Sequence, residues 1–252
     1  MDTPFLSIVI PAYNEESRIE GTLRQVVGFL RDRSYSWEVL VVDDGSTDAQ
    51  GTGPFAKTGK LPNIRLLPLP HGGKGWAVRR GMLQATGQYR MQCDADLSMP
   101  IEQAERMLPP QMQGVDIAIG SREAPGARRI GEPSHRHLMG RVYNALVRAL
   151  AVPGVRDTQC GFKCFRGDVV PELFGRQVVE GFAFDVEVLF LARKAGLVVR
   201  EVAIDWYYRE RSKVHPIGDT IAMTRDLLKI RWRYLRGRYN DYSSEIPNRG
   251  LD

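Results

Sequence analysis

The feature that most constrains this chain is an apolar segment of strand length that recurs along its first 120 residues. The predicted strands are residues 5–10, 37–42, 64–67, 89–93 and 115–119. Most of them are separated by apolar residues at helical spacing, such as Ile19, Leu23 and Val26. A helix is also predicted at 100–108, a loop at 121–134 and a further strand at 198–206. Strands that alternate with helices build a parallel sheet with helices packed on it. The sequence therefore predicts a doubly wound α/β fold with a mostly parallel central sheet.

Polar or acidic residues follow four of the predicted strands. In an open α/β sheet, ligands bind outside the carboxyl ends of the strands. The four groups are Pro11-Ala12-Tyr13-Asn14-Glu15, Asp43-Asp44, Gly72-Gly73-Lys74-Gly75 and Asp94-Ala95-Asp96. We expect these groups to converge on one crevice, and their convergence indicates a binding site more strongly than any single motif does.

The acidic pairs each allow two interpretations. Asp94 and Asp96 lie two residues apart, so both side chains point the same way in an extended segment. Two carboxylates suit a Mg²⁺ or Mn²⁺ ion that also binds substrate phosphates; a solvated loop or a helix cap is the alternative. Asp43 and Asp44 repel each other unless a cation or hydrogen-bond donors lie nearby. For that pair, the alternative is that Asp43 caps the loop that follows.

The glycine-rich segment around Lys74 precedes a predicted helix with Ala77, Gly81 and Ala85 on one face. Backbone N–H groups and an ammonium at a helix start can bind an anion. After Asn14, which is a suitable helix N-cap, we expect a second helix start. The spacing GxxxxGK(S/T) and the motif GxGxxG are both absent. A dinucleotide-binding domain is therefore disfavoured.

Four ordered segments resemble the motifs of the family 2 glycosyltransferases, which have the Rossmann-like GT-A fold. They are residues 7–15 (SIVIPAYNE), 41–48 (VVDDGSTD), 73–75 (GKG) and 94–96 (DAD). The resemblance implies a nucleotide-sugar donor and a divalent cation, Mg²⁺ or Mn²⁺. It makes Asp96 the firmer metal ligand, with Asp94 as a second carboxylate near the nucleotide. The residues expected to bind the nucleotide sugar are Pro11, Ala12, Tyr13, Glu15, Asp43, Asp44, Lys74, Asp94 and Ala95.

Later segments resemble the branch of that family that glycosylates polyprenyl phosphates. They are residues 120–122 (GSR), 157–163 (DTQCGFK), 184–187 (FDVE) and 209–213 (RERSK). The likeness is strongest to the dolichyl-phosphate β-glucosyltransferases and next to the dolichyl-phosphate mannosyltransferases. It implies inverting transfer of a hexose, glucose from UDP-glucose, to a polyprenyl or dolichyl phosphate. GDP-mannose as the donor, or a soluble hydroxyl acceptor, is the alternative.

The same resemblance suggests roles for charged residues in the second half. Arg122 and Arg136 are expected to bind the acceptor phosphate, with a solvated basic loop as the alternative. Arg209 and Lys213 are expected to stabilise the leaving diphosphate. A lipid phosphate is already an anion, so Asp185 need not be a base. With a hydroxyl acceptor Asp185 would be that base, and the remaining alternative is that it orients a neighbouring arginine.

Two predicted helices, at 135–151 and 218–238, carry apolar residues interleaved with arginines. Such helices can lie on an anionic membrane or pack their apolar side on the core. The chain opens on Met1-Asp2-Thr3-Pro4 without a signal-peptide pattern, and no run approaches ~18 apolar residues. We expect a cytoplasmic protein that associates peripherally with the cytoplasmic face of a membrane.

The length of 252 residues and a hydrophobic content of 43% allow one sizeable core. We predict a single domain over residues 1–240, with the nucleotide-sugar-binding part at 1–120. The acceptor-side extension of helices and short strands would span 121–240, and a polar tail 241–252. The net charge of +5 would also permit a nucleic-acid-binding module. No motif supports that alternative, so no nucleic-acid partner is expected.

Overall fold

A seven-stranded sheet forms the centre of the protein. The computed structural model describes residues 3–48, 63–209 and 216–239. The strands of the sheet are β1 (Leu6–Ala12), β2 (Trp37–Asp43), β3 (Ile64–Pro68), β4 (Tyr89–Cys93), β5 (Ile117–Ser121), β7 (Phe162–Arg166) and β8 (Val199–Ala203). Their spatial order is β3-β2-β1-β4-β7-β5-β8, and a second small sheet pairs β6 (Arg128–Ile130) with β9 (Asp205–Tyr207). The central sheet therefore includes strands from both halves of the chain.

Helices cover both faces of the sheet. They are α1 (Glu16–Arg31), α2 (Lys74–Gln84), α3 (Ser134–Leu150), α4 (Val170–Arg176), α5 (Phe184–Lys194) and α6 (Pro216–Leu235), with 3₁₀ helices at Ile101–Met107 and Gly167–Val169. Side chains alternate across β1, so Ile8 packs with α1 and the first 3₁₀ helix, while Val9 packs with α2 on the other face. No helix among the described residues has the length and apolarity needed to span a bilayer.

The predicted α/β architecture is confirmed, with one important difference in the sheet. β1 pairs in parallel with β2 and β4, and β2 with β3, as alternating strands and helices predict. β7 is antiparallel to both of its neighbours, β4 and β5. The apolar pattern of residues 162–166 gives no indication of strand direction, because antiparallel and parallel central strands are buried alike. The sheet is therefore mixed.

Several predicted element limits are wrong. The strand predicted to end before Pro11 continues to Ala12, because a parallel partner pairs Pro11 with Val42. The strand expected at 198–206 divides into β8 and β9, which belong to different sheets. The helix expected at 100–108 is a 3₁₀ helix, and the region 121–134, expected to be a loop, contains β6.

Asn14 is not the helix N-cap that its residue type predicts. Glu15 occupies that position, without a side-chain capping bond, and α1 begins at Glu16. Asn14 has a φ of 50° and its Oδ1 accepts hydrogen bonds from the Thr47 N–H at 2.8 Å and the Asp48 N–H at 3.3 Å. Its side chain therefore binds the loop after β2 instead of the start of α1.

Candidate active site

The carboxyl ends of β1 and β2 are joined by hydrogen bonds. The Asp44 N–H donates to the carbonyl of Ala12 at 2.8 Å, and the Asn14 N–H donates to Ser46 Oγ at 2.8 Å. Asp43 Oδ1 accepts from the Ser46 N–H at 3.0 Å, so Asp43 caps the loop that follows it. These contacts fix the segment that contains Pro11, Ala12, Tyr13 and Glu15 at the carboxyl edge of the sheet, as the motif predicts.

Tyr13 presents an aromatic surface at this edge. Its ring stacks on the His71 ring with centroids 4.3 Å apart and an interplanar angle of 23°. Tyr13 is 36% exposed, while Glu15 forms an ion pair with Arg18 at 2.8 Å on the first turn of α1. An exposed aromatic ring beside backbone polar groups can contact a planar base. The assignment of Tyr13 and Glu15 to nucleotide binding stays a prediction.

Asp44 is buried and organises the glycine-rich segment before α2. Its Oδ1 accepts from the Gly72 N–H at 2.9 Å and its Oδ2 from the Gly73 N–H at 3.0 Å. His71 Nδ1 lies 2.9 Å from the same Oδ2. The prediction that these N–H groups bind a ligand anion is therefore wrong for Gly72 and Gly73, because the anion they bind is the carboxylate of Asp44.

The first turn of α2 is also enclosed by protein. The Trp76 N–H donates to the carbonyl of Glu180 at 3.1 Å. Gly73 has a φ of 102°, and a Cβ there would lie 2.8 Å from that same carbonyl oxygen. Glycine is therefore required at Gly73 by both conformation and space. Lys74 is the remaining charged group of this segment, and its side chain extends towards β4.

Asp94 and Asp96 follow β4 and are both partly exposed. Asp96 Oδ1 accepts from the Ser98 N–H at 2.9 Å in a turn where Leu97 has a φ of 45°. The carbonyl of Ala95 accepts from Thr22 Oγ1 at 2.6 Å, which attaches the motif to α1. Both carboxylates are thus held by a fixed backbone and remain accessible at the carboxyl edge of the sheet.

Lys74 lies against the first of these carboxylates. Lys74 Nζ is 2.7 Å from Asp94 Oδ1. Burial opposes the charged form of Lys74, but Asp94 and then Asp185 outweigh it and raise the pKa of Lys74 above its usual value. Lys74 is therefore a fixed ammonium between the end of β4 and the start of α5.

Gly161 makes room for Asp94, and sequence reasoning missed it. β7 pairs Phe162 with Cys93, which brings the residue before β7 next to the residue after β4. A Cβ at Gly161 would lie 2.0 Å from Asp94 Oδ2. The only signal in the sequence is a glycine just before the short segment 162–166, which does not reveal the partner of that glycine. The segment predicted to serve the acceptor thus contacts the acidic motif directly.

A buried ion pair lies beneath this junction. Lys163 Nζ is 2.6 Å from Asp185 Oδ1 and also donates to the carbonyl of Cys160. Both side chains are almost fully buried, at 1% and 4% exposure. Burial raises the pKa of Asp185, although Lys163 and Lys74 oppose the shift. Asp185 is therefore a partner of Lys163 in this structure, which differs from the arginine-orienting alternative.

A second buried pair joins β5 to the segment before β7. Arg122 Nε and Nη2 bind the Asp157 carboxylate at 2.7 and 2.8 Å, and the Arg122 N–H donates to the same carboxylate at 3.0 Å. Burial alone would raise the pKa of Asp157, but Arg122 lowers it to about 2. Two donors of the Arg122 fork are thus bound to Asp157, so a contact with the acceptor phosphate stays a prediction for its remaining donors.

The other residues predicted to act on the acceptor side are not brought together by described contacts. Arg209 is exposed two residues after β9. Arg136 belongs to α3, but its side chain lies outside the part of the chain that the structure describes, as does the whole of Lys213. Their assignments to the acceptor phosphate and to catalysis stay predictions.

The donor set at this edge fits a divalent cation that shares its ligands with a substrate. Within the described residues, no cluster of three or more His, Cys, Asp or Glu side chains could hold a metal by itself. Asp94 and Asp96 supply two hard oxygen donors, and Mg²⁺ commonly binds one or two carboxylates together with phosphate oxygens and water. The pair therefore suits Mg²⁺ or Mn²⁺ bound with a diphosphate.

Comparison with known proteins defines the class. The model of the glycosyl transferase family 2 matches residues 7–174, which contain β1 to β5 and the acidic motif. The chain belongs to this family. A dolichyl-phosphate β-glucosyltransferase of Dictyostelium discoideum is 35% identical over 251 residues, covering 94% of this chain and 77% of that protein. One from Drosophila melanogaster is 39% identical over 249 residues, covering 93% and 76%.

Solved structures show the same fold. Glucosyl-3-phosphoglycerate synthase from Mycobacterium tuberculosis, in complex with UDP, superposes with a TM-score of 0.64 over 98% of this chain and 82% of that chain, at 20% identity. The same enzyme with Mn²⁺, UDP and glucosyl-3-phosphoglycerate gives a TM-score of 0.62 at 18% identity. The GT-A fold expected from the sequence motifs is confirmed.

Proposed function

We propose that this protein transfers glucose from UDP-glucose to a polyprenyl phosphate at a membrane surface, with inversion at the sugar carbon. The chain is related to dolichyl-phosphate β-glucosyltransferases over more than nine-tenths of its length. One solved neighbour of the same fold holds Mn²⁺ and UDP-glucose. The proposal combines this relationship with the charges at the carboxyl edge of the sheet.

The donor would lie against the carboxyl ends of β1, β2 and β4. Asp96 and Asp94 would hold Mg²⁺ or Mn²⁺, which supplies positive charge to the leaving diphosphate. Lys74 adds a fixed ammonium 2.7 Å from Asp94, which would lie close to the leaving diphosphate. Asp44 contributes indirectly, because its carboxylate holds the backbone of Gly72 and Gly73 in place. Arg209 and Lys213 would complete the neutralisation from the segment after β9.

The observation that carries the proposal for the acceptor is the buried pairing of Asp185 with Lys163. A hydroxyl acceptor needs a general base within hydrogen-bond reach of its proton. Asp185 is almost fully buried, and an ammonium lies 2.6 Å from its Oδ1. A lipid phosphate is already anionic and needs positioning instead of proton removal. The site therefore favours a phosphate acceptor over an alcohol.

Two helices support a membrane surface as the location of the reaction. α6 exposes Ile221, Leu228, Trp232 and Leu235, by 53% to 74%, on one side of the helix. α3 exposes Leu138 and Val142 by 63% and 64%. Exposed cations border the stripe on α6: Arg225, Lys229 and Arg236. An apolar stripe bordered by cations is the pattern of a helix that lies in an anionic interface. The three buried free cysteines fit the reducing cytoplasmic side.

The experiment that tests the proposal compares acceptors that differ by one phosphate. Purified full-length protein with Mg²⁺ or Mn²⁺ and labelled UDP-glucose is incubated with a polyprenyl phosphate or with the matching polyprenol. We expect label in the organic phase only with the phosphate. Transfer to the polyprenol at a comparable rate would contradict the phosphate acceptor.

The donor is tested in the same assay with labelled GDP-mannose. We expect UDP-glucose to be used at least about tenfold faster, because a site that hydrogen-bonds one base leaves its polar groups unpaired with the other. A preference for GDP-mannose would replace glucose by mannose in the proposal and leave the acceptor unchanged. If no label enters the organic phase with either donor, the proposed function is wrong.

A further inference from the structure

A basic cavity lies at the end of the helical layer that is remote from the acidic motif. It has a volume of about 310 Å³ and opens between the ends of α3 and α5 and the last turns of α6. Apolar side chains and three basic side chains line it. These residues are Leu150, Pro153, Phe190, Arg193, Lys194 and Arg231. The cavity therefore combines an apolar wall with a concentration of positive charge.

The positive charge of the cavity is not neutralised by described acidic side chains. Among the described residues, neither Arg193 nor Arg231 forms an ion pair, and Lys194 donates to the neutral Tyr234 hydroxyl at 2.8 Å. The carboxyl ends of α3 and α5 each contribute about half a negative charge. Three full positive charges exceed these two partial charges, so an anion at this place would be attracted.

The apolar stripe of α6 has a residue one helical turn from the cavity, because Leu235 follows Arg231 by four residues on the same helix. Arg231 is partly buried and lines the cavity, while the next residue, Trp232, is 53% exposed on the outer side of the same helix. Leu235 follows one turn later and is 74% exposed. A ligand with a negative head and an apolar tail could therefore place its head against the cations of the cavity and its tail along the apolar stripe of α6. A free phosphate would use the cations alone and leave the stripe uncovered.

We propose that this cavity binds the phosphodiester headgroup of an anionic membrane lipid, at a place separate from the catalytic site. The inference rests on the proposed membrane location of the enzyme. Asp185, in the first turn of α5, and Lys194, at its end, are separated by about 14 Å of helix. One end of the helical layer would thus meet the lipid substrate while the other binds a structural lipid. Two attachments would fix the orientation of the domain on the membrane.

Vesicle flotation of the full-length protein tests the proposal. The vesicles are pure phosphatidylcholine, or phosphatidylcholine with about one-third phosphatidylglycerol, and the variant is Arg193→Gln with Arg231→Gln. We expect a loss of about tenfold or more in affinity for the anionic vesicles and little change on the neutral ones, because basic residues near an anionic surface are attracted to it electrostatically.

The matched control is Arg24→Gln with Arg31→Gln, which removes the same charge from exposed positions on α1. An equal loss in both double variants would overturn the site, since charge alone would then explain binding. Millimolar glycerol 3-phosphate is added as a competitor. If it binds to the cavity while the variant and the wild type bind equally to both kinds of vesicle, the ligand is a soluble phosphate ester and the lipid proposal is overturned. Transfer to a short polyprenyl phosphate in detergent is measured in parallel; its failure would count against the proposed function and not against the cavity.

Discussion

The carboxyl ends of β1, β2 and β4 and the segments that follow β5 and precede β7 carry their charges differently. At the strand ends, Asp94 and Asp96 remain partly exposed, although Asp94 also pairs with Lys74, and Asp43 and Asp44 bind backbone N–H groups. In the second group, Arg122 binds Asp157 and Lys163 binds Asp185, with the acidic partner buried in each pair. The first region keeps partly exposed carboxylates that a cation can reach, whereas the acidic groups of the second region are buried in ion pairs.

The difference shows what a charged motif reveals about its role. A carboxylate at the end of a parallel strand lies at the edge of the sheet where ligands bind, so the sequence predicts its location, although Asp44 is buried there and binds backbone N–H groups. An arginine after β5 can face the crevice or a carboxylate 35 residues later, and local sequence does not decide between them. Residues of the acceptor side are therefore expected to affect stability as much as activity.

The largest effect should come from the exposed carboxylates. Asp96→Asn keeps an oxygen that can accept from the Ser98 N–H but removes the negative charge, so the fold should be retained. We expect kcat/KM to fall about 10²- to 10³-fold, as for the loss of one strong electrostatic contact in a transition state. The assay is glucosyl transfer at saturating metal. Asp32→Asn, an exposed acid at the end of α1, is the control; equal activity of the two variants would break the comparison.

A somewhat smaller effect is expected where the two regions touch. Gly161→Ala places a methyl group at 2.0 Å from Asp94 Oδ2 and must displace that carboxylate. A shift of about 1 Å at a reacting centre can cost about 100-fold in rate. We expect the rate of transfer to fall by this factor. The affinity for Mn²⁺, measured by electron paramagnetic resonance, should fall as well. Gly28→Ala, where a Cβ meets nothing within 4 Å, should have normal activity. Normal Mn²⁺ binding by Gly161→Ala would show that Asp94 is not a metal ligand.

The internal pairing of the acceptor side predicts an acid-dependent stability. Asp157 has a folded pKa of about 2 and an ordinary value of 3.8, so its contribution is present above pH 4 and lost as the pH falls towards 2. The difference corresponds to about 2 kcal/mol. Urea unfolding should show the gap in free energy between wild type and Asp157→Asn narrowing from pH 5 to pH 3. A constant gap over this range would mean that Arg122 does not depress the pKa of Asp157.

The smallest expected effect is a difference in stability between variants of the adjacent acids Asp43 and Asp44. Asp44→Asn loses one of two oxygens that accept from Gly72 and Gly73, whereas Asp43→Asn keeps the single acceptor needed by Ser46. We expect a loss of about 1.5 kcal/mol in the free energy of unfolding for Asp44→Asn. Asp43→Asn should stay within about 0.5 kcal/mol of wild type. Equal losses in urea unfolding would show that the two acids have equivalent roles.

Much of the region formed by β1 to β5 and the acidic motif could be predicted from the sequence, because each feature lies within a short segment of the chain. β1 to β5 are apolar segments of strand length, and Asp94 and Asp96 follow one of them directly. The antiparallel direction of β7 could not be predicted, because the burial pattern of a strand does not indicate which strands it pairs with or in which direction. For the same reason, the contacts of Gly161 with Asp94 and of Lys163 with Asp185 were not foreseen. They depend on which strands become neighbours, which only the three-dimensional fold determines.

The position of β7 has a consequence for any attempt to isolate the first half of the protein. β7 fills the gap between β4 and β5 and hydrogen-bonds to both, although it comes more than 40 residues after β5 in the chain. A fragment that stops near residue 120 would leave both strands with unsatisfied edges, which promote aggregation. We expect such a fragment to be insoluble. The two halves would therefore have to be produced, and to fold, as one piece.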